Sequence, residues 1–379
     1  MGIRELNMKR RINRMKKRIL KGITAILFSL VLVISYTGCG SNSDSGEIQN
    51  NENTGSEATG SEEIKNNDND DSGEKQNNDE GESSTASDNN TIRVAIQPGQ
   101  YTFYTALENG YFDEEGINVE YSTFSYGPPI IEAITAGDID TGFLGDQPAF
   151  SAIANDVDIT LVGAYIDDVL NHGLVASDQS GIESLEDLKG KTISVPFGSN
   201  AQPLLYIYLE AAGLTENDVE IVNLAYADSE ASLLSGDVDA SVTGGQYIYD
   251  AIQEGSGLHL VTTSEGYKQY VNPIIVSTDF AKENREVVVK YLRALSKAAD
   301  WIEEHHQEAA DITYSYDEVK VESTLYSLDV SNINIALTKD RIQALIEGAA
   351  QSYQYELIPE EINIEDYIDT SFGEEAGIH

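Results

Sequence analysis

Apolar and polar residues change period repeatedly along this chain, and each change marks an element. "TIRVAI" from Thr91 is a short apolar run ended by Pro98-Gly99, the pattern of a buried strand entering a turn. "YTFYTALENGYF" follows with helical spacing and closes at Asn109-Gly110. "INVEYSTF" alternates and predicts a second strand. Pro128-Pro129 opens a helix over "PIIEAITAG", with Gly137 past its end. "IDTGFLG" predicts a third strand, Pro148 starts the helix "PAFSAIAND", and "DITLVGAY" and "GLVASD" add strands. This β-α-β-α-β rhythm predicts a mainly parallel sheet with helices on both faces.

The rhythm then restarts. "LEDLKGKTISVPFGSN" reads as helix, turn, strand and glycine loop; "AQPLLYIYLEAAGL" is a helix ended by Gly213; "VEIVNL" is a strand; "DSEASLLSGDVDASVTG" is helix, turn, strand and glycine. One phrase is nearly duplicated at an offset of 99 residues: Gly137-Asp138-Ile139-Asp140 answers to Gly236-Asp237-Val238-Asp239, Gly145 to Gly244 and Gln147 to Gln246. Turn chemistry alone can produce such a phrase, because Gly ends a helix and Asp turns the chain. Several echoes in the same order favour the second explanation, two lobes of similar architecture. After about Tyr270 a strand "NPIIVSTDF" leads into one long amphipathic helix, "NREVVVKYLRALSKAADWIEEHHQEA", with Val288, Tyr291, Leu292, Leu295, Ala298 and Ile302 along one face. Two more helices, "EVKVESTLYSL" and "KDRIQALIEGAAQSYQYE", complete a tail expected to pack on the first lobe, with Trp301 as a packing residue.

The front of the chain has a different character. Nine Lys/Arg precede an apolar run from Ile23 to about Ile34, then Ser35-Tyr36-Thr37-Gly38-Cys39, the layout of a secretory signal; a transmembrane anchor is the alternative. Cys39 is the only cysteine, so a disulfide within the chain is excluded. Thr37-Gly38-Cys39 resembles the bacterial lipobox, with Tyr36 where Leu is usual, which implies lipidation at Cys39. Residues 40–90 are Asn, Ser, Gly, Asp and Glu with almost no large apolar side chains, an expected disordered tether. The expected organisation is therefore 1–38 signal peptide, 39–90 lipidated cysteine and acidic tether, 91–175 plus 271–379 first lobe, and 176–270 second lobe.

Charge narrows the partners. The whole chain carries −42; residues 1–38 contribute +8 and the tether −12, leaving about −38 on the remainder. Nucleic acid and anionic membrane surfaces are poor partners for it. There is no Walker loop and no G-x-S-x-G elbow, and a Cys nucleophile within the lobes is excluded. His305 and His306 are adjacent, so they do not share a helix face as metal ligands at i, i+4 would. No catalytic residue, cofactor or metal is expected, although a carboxylate pair stays open among so many acids.

A binding site is better supported. Four segments share a strand, a Gly or Pro loop and a helix start: Gln97 to Tyr101, Gly145 to Pro148, Phe197 to Asn200, and Thr243 to Tyr247. In open α/β sheets, ligands lie beyond the carboxyl ends of strands. Free N–H groups at helix starts favour anions there, and glycine lets a ligand approach the backbone. Two loops come from each lobe, so both should face one cleft. The candidate ligand residues are Gln97, Gln100, Tyr101, Tyr126, Gly145, Asp146, Gln147, Gly198, Ser199, Asn200, Thr243, Gly244 and Gln246. Tyr101, Phe103, Tyr104, Tyr126, Tyr165 and Tyr247 are candidates for aromatic walls, with ordinary packing the alternative at each. Asp146, if exposed in the cleft, suits a ligand that carries an amine as well as an anionic end.

"ALENGYFDEEGINVEY", "YGPPIIEAITAGDIDTGFLGDQPAF" and "SLEDLKGKTISVPFGSNAQPLLYIYLEAAGL" resemble the periplasmic-binding-protein type II superfamily. Within it the chain looks most like the aliphatic sulfonate, taurine and nitrate binding proteins and their pyrimidine-precursor relatives. The resemblance runs from about Thr91 into the 350s. It implies an α/β, two-lobed fold with the ligand between lobes, a monomer outside the cytoplasm, and delivery of solute to an ABC permease and its ATPase. It also places ligand contacts at Gln97 to Tyr101, Gly145 to Pro148 and Gly198 to Asn200. Sulfonate-type members often have an aromatic residue and an Asp after the last strand of the second lobe; here stands Thr243-Gly244-Gly245-Gln246-Tyr247. Nitrate or a pyrimidine as ligand, an enzyme on the same fold, and a sensory receptor subunit are the alternatives.

Overall fold

The computed structural model describes residues 90–379. The expected signal peptide, Cys39 and the expected tether up to residue 89 lie outside the described residues.

The first sheet is built from β1 (Thr91–Ile96), β2 (Asn118–Thr123), β3 (Thr141–Phe143), β4 (Ile159–Asp168), β10 (Tyr270–Ser277) and β11 (Ser331–Asn332). Its strand order is β2-β1-β3-β10-β4-β11. The second sheet holds β5 (His172–Ser177), β6 (Thr192–Val195), β7 (Glu220–Asn223), β8 (Ala240–Gly244) and β9 (Leu258–Thr263), in the order β7-β6-β8-β5-β9. The two orders superpose: β1, β2, β3, β10 and β4 correspond to β6, β7, β8, β5 and β9. Each sheet is parallel where consecutive βαβ units built it and antiparallel around the crossing strand, β10 in one and β5 in the other. The sheets are therefore mixed rather than mainly parallel, because β5 and β10, the first strand after each crossing between lobes, run against the strands they join.

The duplicated phrase has one structural role in both sheets. Gly137 and Gly236 end helices in the left-handed conformation, at φ 78° and 82°, which glycine adopts without steric cost. Three residues later an Asp carboxylate accepts a backbone N–H near the start of the neighbouring strand: Arg93 N–H to Asp140 Oδ2 at 2.8 Å, and Thr192 N–H to Asp239 Oδ2 at 2.9 Å. Asp140 and Asp239 donate their own N–H to the carbonyls of Arg93 and Thr192. Both readings of the phrase hold at once, since the local turn chemistry recurs because the lobe recurs.

The helices are α1 (Tyr101–Glu108), α2 (Tyr111–Glu114), α3 (Gly127–Ala136), α4 (Asp146–Ala154), α5 (Ala201–Ala211), α6 (Tyr226–Ser235), α7 (Gln246–Ala251), α8 (Thr278–Glu283), α9 (Arg285–Glu304), α10 (His306–Asp317), α11 (Val321–Val330), α12 (Lys339–Gln354) and α13 (Ser371–Ala376). The long helix expected after Asn284 is two helices. His305 leaves helical geometry at φ −133°, ψ 43°, and its Nδ1 lies 2.7 Å from the Trp301 carbonyl, with the two rings stacked 4.2 Å apart. The apolar stripe of α9 packs against β1, α1 and the first sheet's core, where Val288, Leu292, Leu295 and Ile302 are fully buried. A separate core, centred on Leu204, Leu205 and Tyr208 of α5, fills the second lobe. The chain crosses between sheets twice, through residues 169–171 and 264–269.

Candidate functional site

The four turns lie at the carboxyl ends of β1, β3, β6 and β8, the middle parallel strands of each sheet, and line one cleft of ≈ 690 Å³. Helices α1, α4, α5 and the short α7 begin at its rim. The turns are tied down from behind. Gly99 (φ +85°) donates its N–H to Asp317 Oδ2 at 2.6 Å, and Gln97 Nε2 donates to the Phe143 carbonyl. Phe197 N–H donates to Asn223 Oδ1 at 2.9 Å, and Gly198 N–H to Gln202 Oε1 at 2.7 Å.

Of the residues expected from sequence, Gln97, Gln100, Tyr101, Tyr126, Gly145, Ser199, Asn200, Gly244 and Gln246 line the cleft. Asp146, Gln147, Gly198 and Thr243 are not among its lining residues. Asp146 is a correction with a clear cause. Its Oδ2 accepts from Lys268 Nζ at 2.6 Å, both side chains are about 2% exposed, and the lysine lies 5.1 Å from the Tyr270 ring centroid. That carboxylate is not free for a ligand amine. Gln147 is likewise engaged, accepting from Ser352 Oγ at 2.6 Å and donating to Ser151 Oγ. Among the aromatic candidates Tyr101, Tyr126, Tyr165 and Tyr247 line the cleft. Phe103 and Tyr104 belong to the core; Tyr104 stacks on Tyr316 with centroids 4.8 Å apart.

Asp168, Asn171, His172, Tyr226, Asn272 and Thr324 line the cleft without having stood out in the sequence. Three of these side chains, together with Asn200, form a hydrogen-bonded chain across the first crossover. Tyr226 hydroxyl donates to Asn200 Oδ1 at 3.1 Å; Asn200 Nδ2 meets His172 Nε2 at 3.3 Å; His172 Nδ1 meets Asp168 Oδ1 at 3.2 Å. Because an amide NH2 can only donate, His172 Nε2 must accept, which places the imidazole proton on Nδ1, facing the carboxylate. The His172 ring stacks 4.0 Å from Tyr270, whose hydroxyl donates to the Asn200 carbonyl. Two glycines make room for this arrangement. A Cβ on Gly145 would stand 3.0 Å from Asn200 Cβ, and one on Gly244 would stand 2.6 Å from the His172 ring.

Burial sets the electrostatics. It pushes the Tyr101 and Tyr165 phenols well up, with the Asp168 charge adding to both, and raises Tyr226 to about 12. All three are neutral hydrogen-bonding groups at ordinary pH. No Lys or Arg lines the cleft among the described residues, so an anion there would rely on backbone N–H groups, hydroxyls and amides. Among the described residues no group of three His, Cys, Asp or Glu is placed to hold a metal ion.

The family model described as NMT1/THI5 like matches residues 97–309, more than half of the chain. The chain belongs to that family. It is 29% identical over 305 residues to a Bacillus subtilis (strain 168) protein provisionally named as aliphatic sulfonates-binding, covering 75% of this chain and 87% of that protein. It is 26% identical over 271 residues to the formylaminopyrimidine-binding protein of Halalkalibacterium halodurans, covering 68% of this chain and 81% of that protein. Among solved structures, the alkanesulfonate-binding protein SsuA from Xanthomonas axonopodis pv. citri bound to MOPS aligns with TM-score 0.66 at 22% identity, over 74% of this chain and 98% of that one. The fold is the two-lobed periplasmic-binding-protein type II architecture, and the two relatives named above are both binding proteins by name.

Proposed function

We propose that this family member captures a small organic anion or zwitterion of the sulfonate or taurine kind and hands it to an ABC permease and ATPase. The observation that carries the reading is the convergence of four strand-to-helix turns, two from each sheet, on one cleft without a Lys or Arg in its lining. Backbone amides and neutral donors hold an anion while leaving its release easy, which suits a carrier. The name of the Bacillus subtilis relative supports the sulfonate class. Ligand contacts are assigned to Gln97, Gln100, Tyr101, Tyr126, Gly145, Ser199, Asn200, Gly244 and Gln246. The proposed setting is the outer face of a Gram-positive bacterial membrane, with Cys39 lipidated and residues 40–90 as the tether.

A pyrimidine is the second reading. Tyr101, Tyr126, Tyr226, Tyr247 and Phe197 around the cleft favour a flat ring, and the name of the Halalkalibacterium relative supports it. Thermal-shift screening and calorimetry with taurine, ethanesulfonate, nitrate and aminopyrimidines separate the two. If no sulfonate in the panel raises the unfolding temperature or gives a binding isotherm, the sulfonate proposal fails.

A further inference from the structure

We propose that Asp168 is the cleft's recognition group for a positively charged or N–H-rich nitrogen, so that the ligand carries an ammonium, amidine or ring-bound amino group at that end. The inference rests on the cleft being the solute site and extends that reading to a specific chemical class.

Asp168 ends β4 and lines the cleft, with no exposed side-chain surface. Its Oδ1 accepts from the Asn171 N–H at 3.1 Å and from His172 Nδ1 at 3.2 Å, while its Oδ2 takes no hydrogen bond. Three more buried polar atoms of lining residues are also unpaired: Tyr101 hydroxyl, Asn272 Oδ1 and Thr324 Oγ1. They come from α1, β10 and α11, so three separate elements join β4 in lining this cleft. A buried polar atom without a partner costs free energy, and a charged one costs more. Native chains rarely carry several in one cavity unless something arrives to satisfy them.

The chemistry of the four atoms selects the guest. A carboxylate oxygen and an amide carbonyl oxygen can only accept, and each hydroxyl can accept as well as donate. An anion placed there would meet the Asp168 charge with no lining Lys or Arg to offset it. His172 spends its Nδ1 proton on Asp168 and its Nε2 lone pair on Asn200. A nitrogen with two or more N–H bonds brought to Asp168 Oδ2 pairs that acceptor and gains a charge-assisted hydrogen bond. The amine end that the sequence placed on Asp146 thus belongs to Asp168, because Asp146 is spent on Lys268.

The test is calorimetry of the purified protein at neutral pH with four probes: taurine, ethanesulfonate, ethanolamine and 4-aminopyrimidine. Wild type should bind taurine at least about tenfold tighter than ethanesulfonate, and Asp168→Asn should erase that difference, the scale expected of a charge-assisted bond. Ethanesulfonate binding as tightly as taurine would overturn the role of Asp168 and leave the sulfonate reading intact. Binding of 4-aminopyrimidine that is lost in Asp168→Asn, with no sulfonate bound, would support the nitrogen site and reject the sulfonate reading. If none of the three amine-bearing probes binds wild type, the inference is wrong. Where the sulfonates bind, the wild-type taurine/ethanesulfonate comparison decides the matter even if the variant fails to fold.

Discussion

A single methyl group on Gly145 should weaken ligand binding while leaving the folded lobes nearly untouched. Gly145 ends the β3 turn in the first lobe, and Asn200 starts α5 in the second. In Gly145→Ala the new Cβ would stand 3.0 Å from Asn200 Cβ and Cγ and 3.2 Å from Nδ2, closer than carbon atoms settle at optimal contact. The backbone itself is not strained, since Gly145 sits at φ −71°, ψ 161°, open to any residue. Either Asn200 swings away or the lobes part by a few tenths of an ångström. Swinging away sacrifices the bonds to His172 and Tyr226; overpacking of this kind costs about 1–3 kcal/mol. The penalty arises only where Gly145 of one lobe meets Asn200 of the other, so it falls on the arrangement that shapes the cleft. The expected result is a Kd raised about 5- to 150-fold, measured by calorimetry with the tightest binder of the probe panel. The ligand-free unfolding temperature should move little. Affinity within twofold of wild type would refute the reasoning, and so would a ligand-free destabilisation large enough to account for the whole loss.

Three other outcomes are expected. Lys268→Met leaves Asp146 buried without its counter-charge, which should cost about 3–5 kcal/mol in urea unfolding; adding Asp146→Asn should recover much of it, and a loss below about 1 kcal/mol would contradict the pairing. Asp140→Ala and Asp239→Ala each orphan one strand N–H and should cost about 1–3 kcal/mol apiece, with the double variant near the sum because the sites lie in different lobes; a silent Asp239→Ala would break the equivalence of the two copies. Stability should fall as pH rises beyond the ordinary tyrosine range. Burial raises the phenols of Tyr101, Tyr165, Tyr208, Tyr270 and Tyr291. Above about pH 10 the unfolded chain has released those protons and the folded chain has not, so unfolding gains ground with every pH step. Urea midpoints that stay flat from about pH 8 to 11 would contradict it.

Much of this architecture is written locally. Pro128-Pro129 at the start of α3 and Gly137 at its end are set by backbone geometry within a few residues, so the sequence alone marks them. Other features depend on distant partners. Nothing around Asp146 announces Lys268, which lies 122 positions away, and an acid after a glycine at a helix start reads equally well as a ligand contact. The break at His305 escaped because Trp301 and Ile302 continue the apolar stripe of α9 up to it. The mixed sheets escaped because β5 and β10 have the composition of ordinary buried strands, and only the crossover gives them their antiparallel direction.

That crossover also explains where the unforeseen site residues lie. β5 and β10 occupy equivalent places in their sheets, each next to the middle parallel strand whose turn faces the cleft. A strand running antiparallel to β3 or β8 must begin where those strands end, at the cleft. His172, the first residue of β5, and Asn272, the third of β10, are therefore brought to the same cavity by one topological rule applied twice. Asp168 follows from the same geometry, because β4 runs antiparallel to β10 and ends where β10 begins, with Asp168 paired in register to Tyr270. The repeated turns supply the cleft with nearly equivalent amide-bearing rims. What differs between the halves, and so can tell one end of a ligand from the other, arrives on the strands that cross.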